Sequence, residues 1–269
     1  MRSFALCFLI FSGLVPSTLF AAPHDGPMTA DELTCLQKMI YYNECSAKAE
    51  RMTTWNADEG FPSFGIGHFI WYPKGRKGPY KEFFPDYLAF LEAQKTEIPR
   101  WIKELPTREA PWKDRDEFQK DLSSERMTTL RNFLEETQGF QAQFIIRRVE
   151  GILPRMLATL PESEHPEIEL KFKEVENAPR GMFALIDYVN FKGEGILESE
   201  RFQGQGWGLL QVLQKMHLPK KEENAVEEFA NAARKVLETR SQNAPLDKDC
   251  TKRLCGWKAR IKNYTKIRC

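Results

Sequence analysis

Residues 55–72 read WNADEGFPSFGIGHFIWY, and the rest of the chain is organised around them. An acidic pair, Asp58 and Glu59, precedes Gly60 and Pro62; an apolar run follows, interrupted by Gly65 and Gly67 and carrying His68. The Gly and Pro residues supply turn chemistry. Glycine inside a run of aromatic and β-branched residues marks a strand whose backbone something approaches closely. The stretch therefore predicts a β-hairpin over residues 61–72 with carboxylates at its edge, in a chain that is otherwise mostly helical and polar.

Upstream, Thr29 with Glu32 three positions on has the spacing of a capping box, and a helix is expected to start there. Leu33, Leu36, Ile40 and Glu44 then recur at intervals of three and four, so one apolar face runs up to a carboxylate. Glu44 is either the first exposed residue past the helix or an acid held beside the core. A carboxyl in the second setting is desolvated, which favours the protonated form a general acid needs.

Glu44 and the acidic turn lie on different elements and could face one another across a cleft. Glycoside hydrolysis uses two such carboxyls, one to protonate the leaving oxygen and one as base, nucleophile or charge stabiliser. A helix-terminal Glu44, an acidic turn and then Ser63-Phe64-Gly65-Ile66-Gly67-His68 together resemble the phage-type lysozymes of the lysozyme-like superfamily. Their strand carries Thr-Ile-Gly-Ile-Gly-His behind an acidic residue. The resemblance implies Glu44 as general acid, Ser63 at the Thr position, and Glu59 or Asp58 as second carboxylate. Glu59 is favoured for its longer stem and its place beside Gly60; in an extended segment only one of the two could face the cleft. An ungapped count back from Gly65 puts Ala57 at the family's acidic position, and the connection after Glu44 is longer than the family's. The run Asn43-Glu44-Cys45-Ser46 is also similar to the Glu-Ser motif of goose-type lysozymes and lytic transglycosylases. The implied fold is mainly helical α+β, lysozyme-like, with a small β-hairpin lobe and a larger helical lobe. The implied activity is cleavage of the β-1,4 bond between N-acetylmuramic acid and N-acetylglucosamine in peptidoglycan glycan strands. A lytic transglycosylase, or a non-catalytic glycan-binding or inhibitor module on the same fold, is the alternative. No cofactor is implied.

In the second half, residues 181–195 read as an apolar helix ending at Asn190, followed by Lys192 and Glu194 crowded between Gly193 and Gly195. Such a loop is either one wall of a ligand cleft or a glycine helix cap. Gln205, Trp207 and Gln211 follow; amides suit sugar hydroxyl and acetamido groups, and Trp207 is either a stacking platform or core. With His68, these residues make up the expected substrate-binding set. His68 has no partner at metal-ligand spacing and reads as hydrogen-bonded structural support. Phe69, Trp71 and Tyr72 could stack on sugars, although packing is favoured for Phe69 and Ile70. Helices are expected over 226–240 and 254–264, with Trp257, Ile261 and Tyr264 as core; this C-terminal pattern also resembles phage-type lysozymes.

The middle of the chain is less specific. Residues 74–78 read as a solvated basic loop, Pro85 opens a helix running on past Ile98, and helical periodicity recurs over 118–134 and 144–157, with Pro154 bending or ending the latter. Residues 161–166 read as a loop. Residues 80–176 together are expected to be a helical insertion in the helical lobe of a single domain at 23–269.

Arg2, an apolar run over 4–15 and the small residues Ala21 and Ala22 have the pattern of a signal peptide at 1–22. The run is shorter than the ~20 residues a membrane span needs. A periplasmic or secreted monomer with no integral membrane segment after cleavage is therefore expected. Without Arg2, 38 Lys and Arg balance 38 Asp and Glu, which does not recommend nucleic acid as a partner. On one helix, Cys35 and Cys45 stand about 15 Å apart, beyond disulfide reach. Both are expected to pair with the C-terminal cysteines Cys250, Cys255 and Cys269. A zinc reading of Cys250 and Cys255 lacks a second ligand pair.

Overall fold

A computed structural model describes residues 29–78, 80–218, 225–245 and 251–266. The expected signal peptide and Cys7, Cys250 and Cys269 lie outside them. The chain is α+β and mainly helical, with one three-stranded antiparallel sheet and one two-stranded ribbon among the described residues.

Helix α1 (Ala30–Cys45) starts at the capping box the sequence predicts: Thr29 Oγ1 accepts the Glu32 N–H at 3.2 Å, and Glu32 Oε2 accepts the Thr29 N–H at 2.8 Å. It ends where Ser46 turns into the left-handed region, φ 50. Leu36, Met39, Ile40 and Cys45 are buried, and this face packs on α6 (Gln138–Glu150) and α9 (Gly181–Lys192).

The connection after α1 contains a 3-10 turn, Ala49–Met52, and strand β1 (Thr53–Thr54). β1 pairs antiparallel with β2 (Ser63–Phe64), and β2 with β3 (Phe69–Ile70), in the register Ser63 opposite Ile70 and Phe64 opposite Phe69. The hairpin is thus present, but Gly65 to His68 form its turn and not a strand interior. Gly65 takes φ 72 and His68 φ 45. The close approach expected at these glycines is real. Gln141 from α6 accepts the Ile66 N–H at 2.7 Å, and its amide oxygen occupies the space a Gly65 Cβ would need.

Sheet strands this short cannot bury an apolar face unaided, and residues 71–118 supply the cover. Helices α2 (Phe84–Ala93), α3 (Arg100–Lys103) and α4 (Arg115–Asp121) follow the sheet, so the helix expected to run on past Ile98 is divided. Trp112 stacks on Phe64 at 5.8 Å and meets Phe118 edge-on at 5.1 Å, with Trp71 beside them. The Ala110 N–H donates to the Tyr72 carbonyl at 2.9 Å, and Arg115 Nε to the Trp55 carbonyl at 2.8 Å. Part of the segment expected as an insertion in the helical lobe therefore encloses the sheet. Phe69 and Trp71 are fully buried in this aromatic core.

The periodic stretch over 118–134 divides because Ser124 caps α5 (Glu125–Glu136), its Oγ accepting the Met127 N–H at 3.1 Å. The one over 144–157 divides at Gly151, with Pro154 in the first turn of α7 (Ile152–Leu157), where a missing N–H is tolerated. Pro166 likewise sits in the first turn of α8 (His165–Asn177), so the stretch expected as a loop over 161–166 is a 3-10 turn, Glu162–Glu164, that runs into a helix. After α9 come the ribbon β4 (Arg201–Phe202) and β5 (Gln205–Gly206), then α10 (Leu209–Lys215), α11 (Ala225–Asn243) and α12 (Thr251–Lys262). Trp257, Ile261 and Tyr264 are buried, as their spacing predicts. No helix among the described residues is long and apolar enough to cross a membrane.

Cys45 is a buried free thiol, its Sγ 3.9 Å from the Gly65 carbonyl oxygen, and Cys255 is an exposed one. Neither makes the bridge expected of it. Cys45 points under the hairpin, where burial and then the Glu44 charge push its thiol up to about 12. Cys35 is not a free thiol; its expected partners Cys250 and Cys269 lie outside the described residues.

Glu176 on α8 is 1% exposed, and neither carboxyl oxygen has a hydrogen-bond partner among the described residues. Burial, with the nearby Glu150 charge adding and Lys173 opposing, raises its pKa from 4.5 to about 7. The folded chain then holds a proton that the unfolded chain has lost, so this contribution to stability is full below pH 4.5 and disappears as pH rises through 7. Glu176→Gln is expected to raise the thermal midpoint at pH 8 by several degrees, roughly 2–4 °C per kcal/mol recovered, and to change little at pH 4.5. Melting curves at the two pH values check it; an equal shift at both would contradict the assignment.

Candidate active site

Two groups of polar residues stand out. The first is built on the last turn of α1. Glu44 Oε1 accepts a hydrogen bond from Arg260 Nη2 of α12 at 2.7 Å, and the Glu44 side chain is 16% exposed. Arg260 also grips Asp187 of α9, with Nε 2.9 Å from Oδ2 and Nη2 2.7 Å from Oδ1. Asp187 is 2% exposed and accepts further bonds from Asn43 Nδ2 at 2.9 Å and Tyr264 Oη at 2.7 Å. Burial opposes the Arg260 charge, but the bonds and charge of Asp187, and then Glu44, outweigh it and hold the guanidinium above its ordinary value. Burial and then Asp187 likewise raise the Tyr264 hydroxyl. Glu44 is thus neither a free helix end nor sealed in apolar core. It is fixed through one oxygen, and Oε2 has no hydrogen-bond partner among the described residues.

Asp187 and Arg260 are the residues that sequence reading missed. A carboxylate in the otherwise apolar run over 181–189 was the available signal, since a buried acid requires a cation or donors. The periodicity that made Trp257, Ile261 and Tyr264 core passes Arg260 by, one position before Ile261.

The second group lines a cleft of about 780 Å³ on the hairpin side: Asp58, Glu59, Ser63, His68 and Ile70, with Phe61, Tyr72, Arg76, Lys77 and Tyr80. Ser63 Oγ lies 3.1 Å from Thr54 Oγ1. Residues 56–59 are a turn closed by Glu59 N–H to the Asn56 carbonyl at 3.2 Å. Because the chain turns there and is not extended, Asp58 and Glu59 both line the cleft. Asn56 Nδ2 donates to the half-buried Glu59 carboxylate at 3.1 Å, whereas Asp58 is exposed. The His68 Nε2 atom is buried with no hydrogen-bond partner among the described residues, which differs from the bonded support expected of it. Glu44 is not among the residues lining this cleft.

The remaining expected contacts are mostly engaged within the fold. Asn190 is exposed at the end of α9. Lys192 is 8% exposed, its Nζ lying 3.8 Å from the Phe191 ring centre and 3.6 Å from that of Trp257. Glu194 receives Arg155 through two bonds of 3.1 and 2.7 Å. Gln205 is exposed on β5. Trp207 is buried against Phe202, ring centres 4.5 Å apart, beneath the Arg240 guanidinium at 3.9 Å, so it packs and presents no open face. Gln211 accepts the Gly208 N–H and donates to the Gly195 carbonyl, both at 3.0 Å. Its amide caps α10 and pins the loop after α9. Gly193, at φ 86, caps α9.

Comparison of the chain with protein-family models, with curated proteins and with solved structures gave no match in any of the three.

Proposed function

We propose that the protein is an exported, periplasmic or secreted, lysozyme-like hydrolase that cleaves the β-1,4 bond between N-acetylmuramic acid and N-acetylglucosamine in peptidoglycan. The observation that carries the reading is Glu44: one carboxyl oxygen is fixed by Arg260, itself held by the buried Asp187, and the other has no protein partner among the described residues. A general acid needs that orientation and an oxygen that no protein partner occupies, to carry the proton. Support comes from the hairpin motif, whose turn is braced by Gln141, and from the lysozyme-like order of helix, glycine hairpin and helices. In this reaction Glu44 donates its proton to the leaving oxygen, and Glu59 or Asp58 activates water or stabilises the developing positive charge. Clearing of purified cell walls tests the activity; a preparation that binds walls without clearing them would be the non-catalytic module.

One observation favours a lytic transglycosylase as second reading. The acids nearest the hairpin line a cleft that Glu44 does not line, and Ala57 stands where the phage-type family has its acid. Without a second carboxylate to activate water, Glu44 would protonate the leaving oxygen as the glycosidic bond breaks, and its carboxylate would then take the proton of the muramyl 6-hydroxyl as that oxygen closes on the anomeric carbon. For the hydrolase, Glu59→Gln is expected to lower turnover by ~10-fold or more, and Asp58→Asn by less, since Glu59 is the oriented acid. Mass spectrometry of released fragments checks both points. Greater damage from Asp58→Asn would transfer the role, and anhydro ends from the parent protein would establish the transglycosylase.

A further inference from the structure

The cleft beside the hairpin has a cationic wall that the proposed chemistry does not use. Arg76 and Lys77 are exposed on the loop 74–78, line the cleft that Asp58 and Glu59 also line, and form no ion pair among the described residues. The loop is not a loose solvated turn. The Arg76 N–H returns to the Pro73 carbonyl at 2.9 Å, Gly75 takes φ 71, and the Gly75 N–H donates to Glu109 at 3.0 Å. Glu82 accepts the Tyr72 N–H at 2.6 Å, and Tyr72 Oη donates to the Tyr80 carbonyl at 3.2 Å. The two carboxylates on which the Lys77 charge acts, Glu82 and Glu109, are hydrogen-bonded to backbone and form no ion pair with it among the described residues, while Arg76 and Lys77 stay exposed to a ligand. Tyr80, 63% exposed and edge-on to Phe61 at 5.9 Å, adds an aromatic surface in the same cleft.

We infer that Arg76 and Lys77 form a carboxylate-recognition site that selects anionic saccharides over neutral ones in this cleft. The inference rests on the glycan reading above and deepens it. A neutral oligosaccharide can hydrogen-bond to Asp58 and Glu59 and stack on Tyr80, but gains little from two exposed cations. A glycan that also carries carboxylates uses both walls. Those carboxylates have two sources in cell-wall glycans, the lactyl group of a stem-free muramyl sugar and the peptide stem.

Calorimetric binding to three fragments of equal sugar number tests the site: a neutral chitin oligomer, a stem-free glycan with free lactyl carboxylates, and a stem-bearing glycan. The parent protein is expected to bind one or both anionic fragments about tenfold tighter than the chitin oligomer, as two exposed ion contacts allow. This preference should shrink as salt is raised. Preference for only one anionic fragment supports the site and identifies its carboxylate. The variant carrying Arg76→Ser and Lys77→Ser should lose the preference, and Lys77→Glu should reduce it in an otherwise intact loop; circular dichroism matching the parent shows each to be folded. An unchanged ratio of affinities in folded variants, or no preference in the parent, overturns the inference while leaving the glycan reading standing. Failure of the parent to bind any of the three overturns the glycan reading itself.

Discussion

Glu44→Gln is expected to lower the clearing of purified cell walls by ~10²-fold or more, the usual range for loss of a general acid. Gln keeps the length of the side chain, and its amide oxygen can still accept the Arg260 bond that fixes Glu44 Oε1 at 2.7 Å. What it cannot do is give a proton to the glycosidic oxygen. The loss should therefore fall on kcat and on kcat/KM alike, because the interaction is made in the transition state, while the melting temperature stays within a few degrees of the parent's. Clearing by the variant at the parental rate would remove Glu44 from the chemistry and, with it, the main support for the enzymatic reading.

The largest effect on stability is expected at Arg260. Arg260→Met keeps much of the volume but leaves Asp187, 2% exposed, without the cation that contacts both its oxygens. Breaking one side of a buried pair costs about 3–5 kcal/mol, and the thermal midpoint should fall by about 10 °C in a chain of this size. Asn43 and Tyr264 would still donate to Asp187, which keeps the variant foldable at low temperature. Adding Asp187→Asn removes the stranded charge and should restore half or more of the lost stability. Activity should not return with it, because Glu44 would still lack its anchor. If the single variant melts with the parent, the pair is not the structural centre of the site; if the double variant is no more stable than the single one, the cost arises elsewhere.

Several features were legible because they depend on neighbours in sequence. The capping box of Thr29 and Glu32, the stripe of Leu36 and Ile40 and the core positions Trp257, Ile261 and Tyr264 follow from spacing, and the hairpin at 61–72 from its Gly and Pro residues, although Gly65 to His68 form its turn and not a strand interior. Caps and amphipathic periodicity act within a turn or two, so their physics is contained in a short window. The breaks at Ser124 and Gly151 were less visible, because a cap in a periodic stretch competes with continuing the helix.

What tertiary structure alone decided is which polar groups are free. Gln211 and Trp207 have the composition of a sugar site, yet one bonds to Gly208 and Gly195 and the other is buried under Arg240. Arg76 and Lys77 have the composition of a solvated loop, yet they line the cleft with Asp58 and Glu59. Glu44 and Arg260 lie at opposite ends of the chain and are joined at 2.7 Å. Sequence fixes a residue's chemistry and, through local periodicity, its face; whether that chemistry is satisfied internally or left for a ligand depends on partners brought from distant elements, and only packing supplies those.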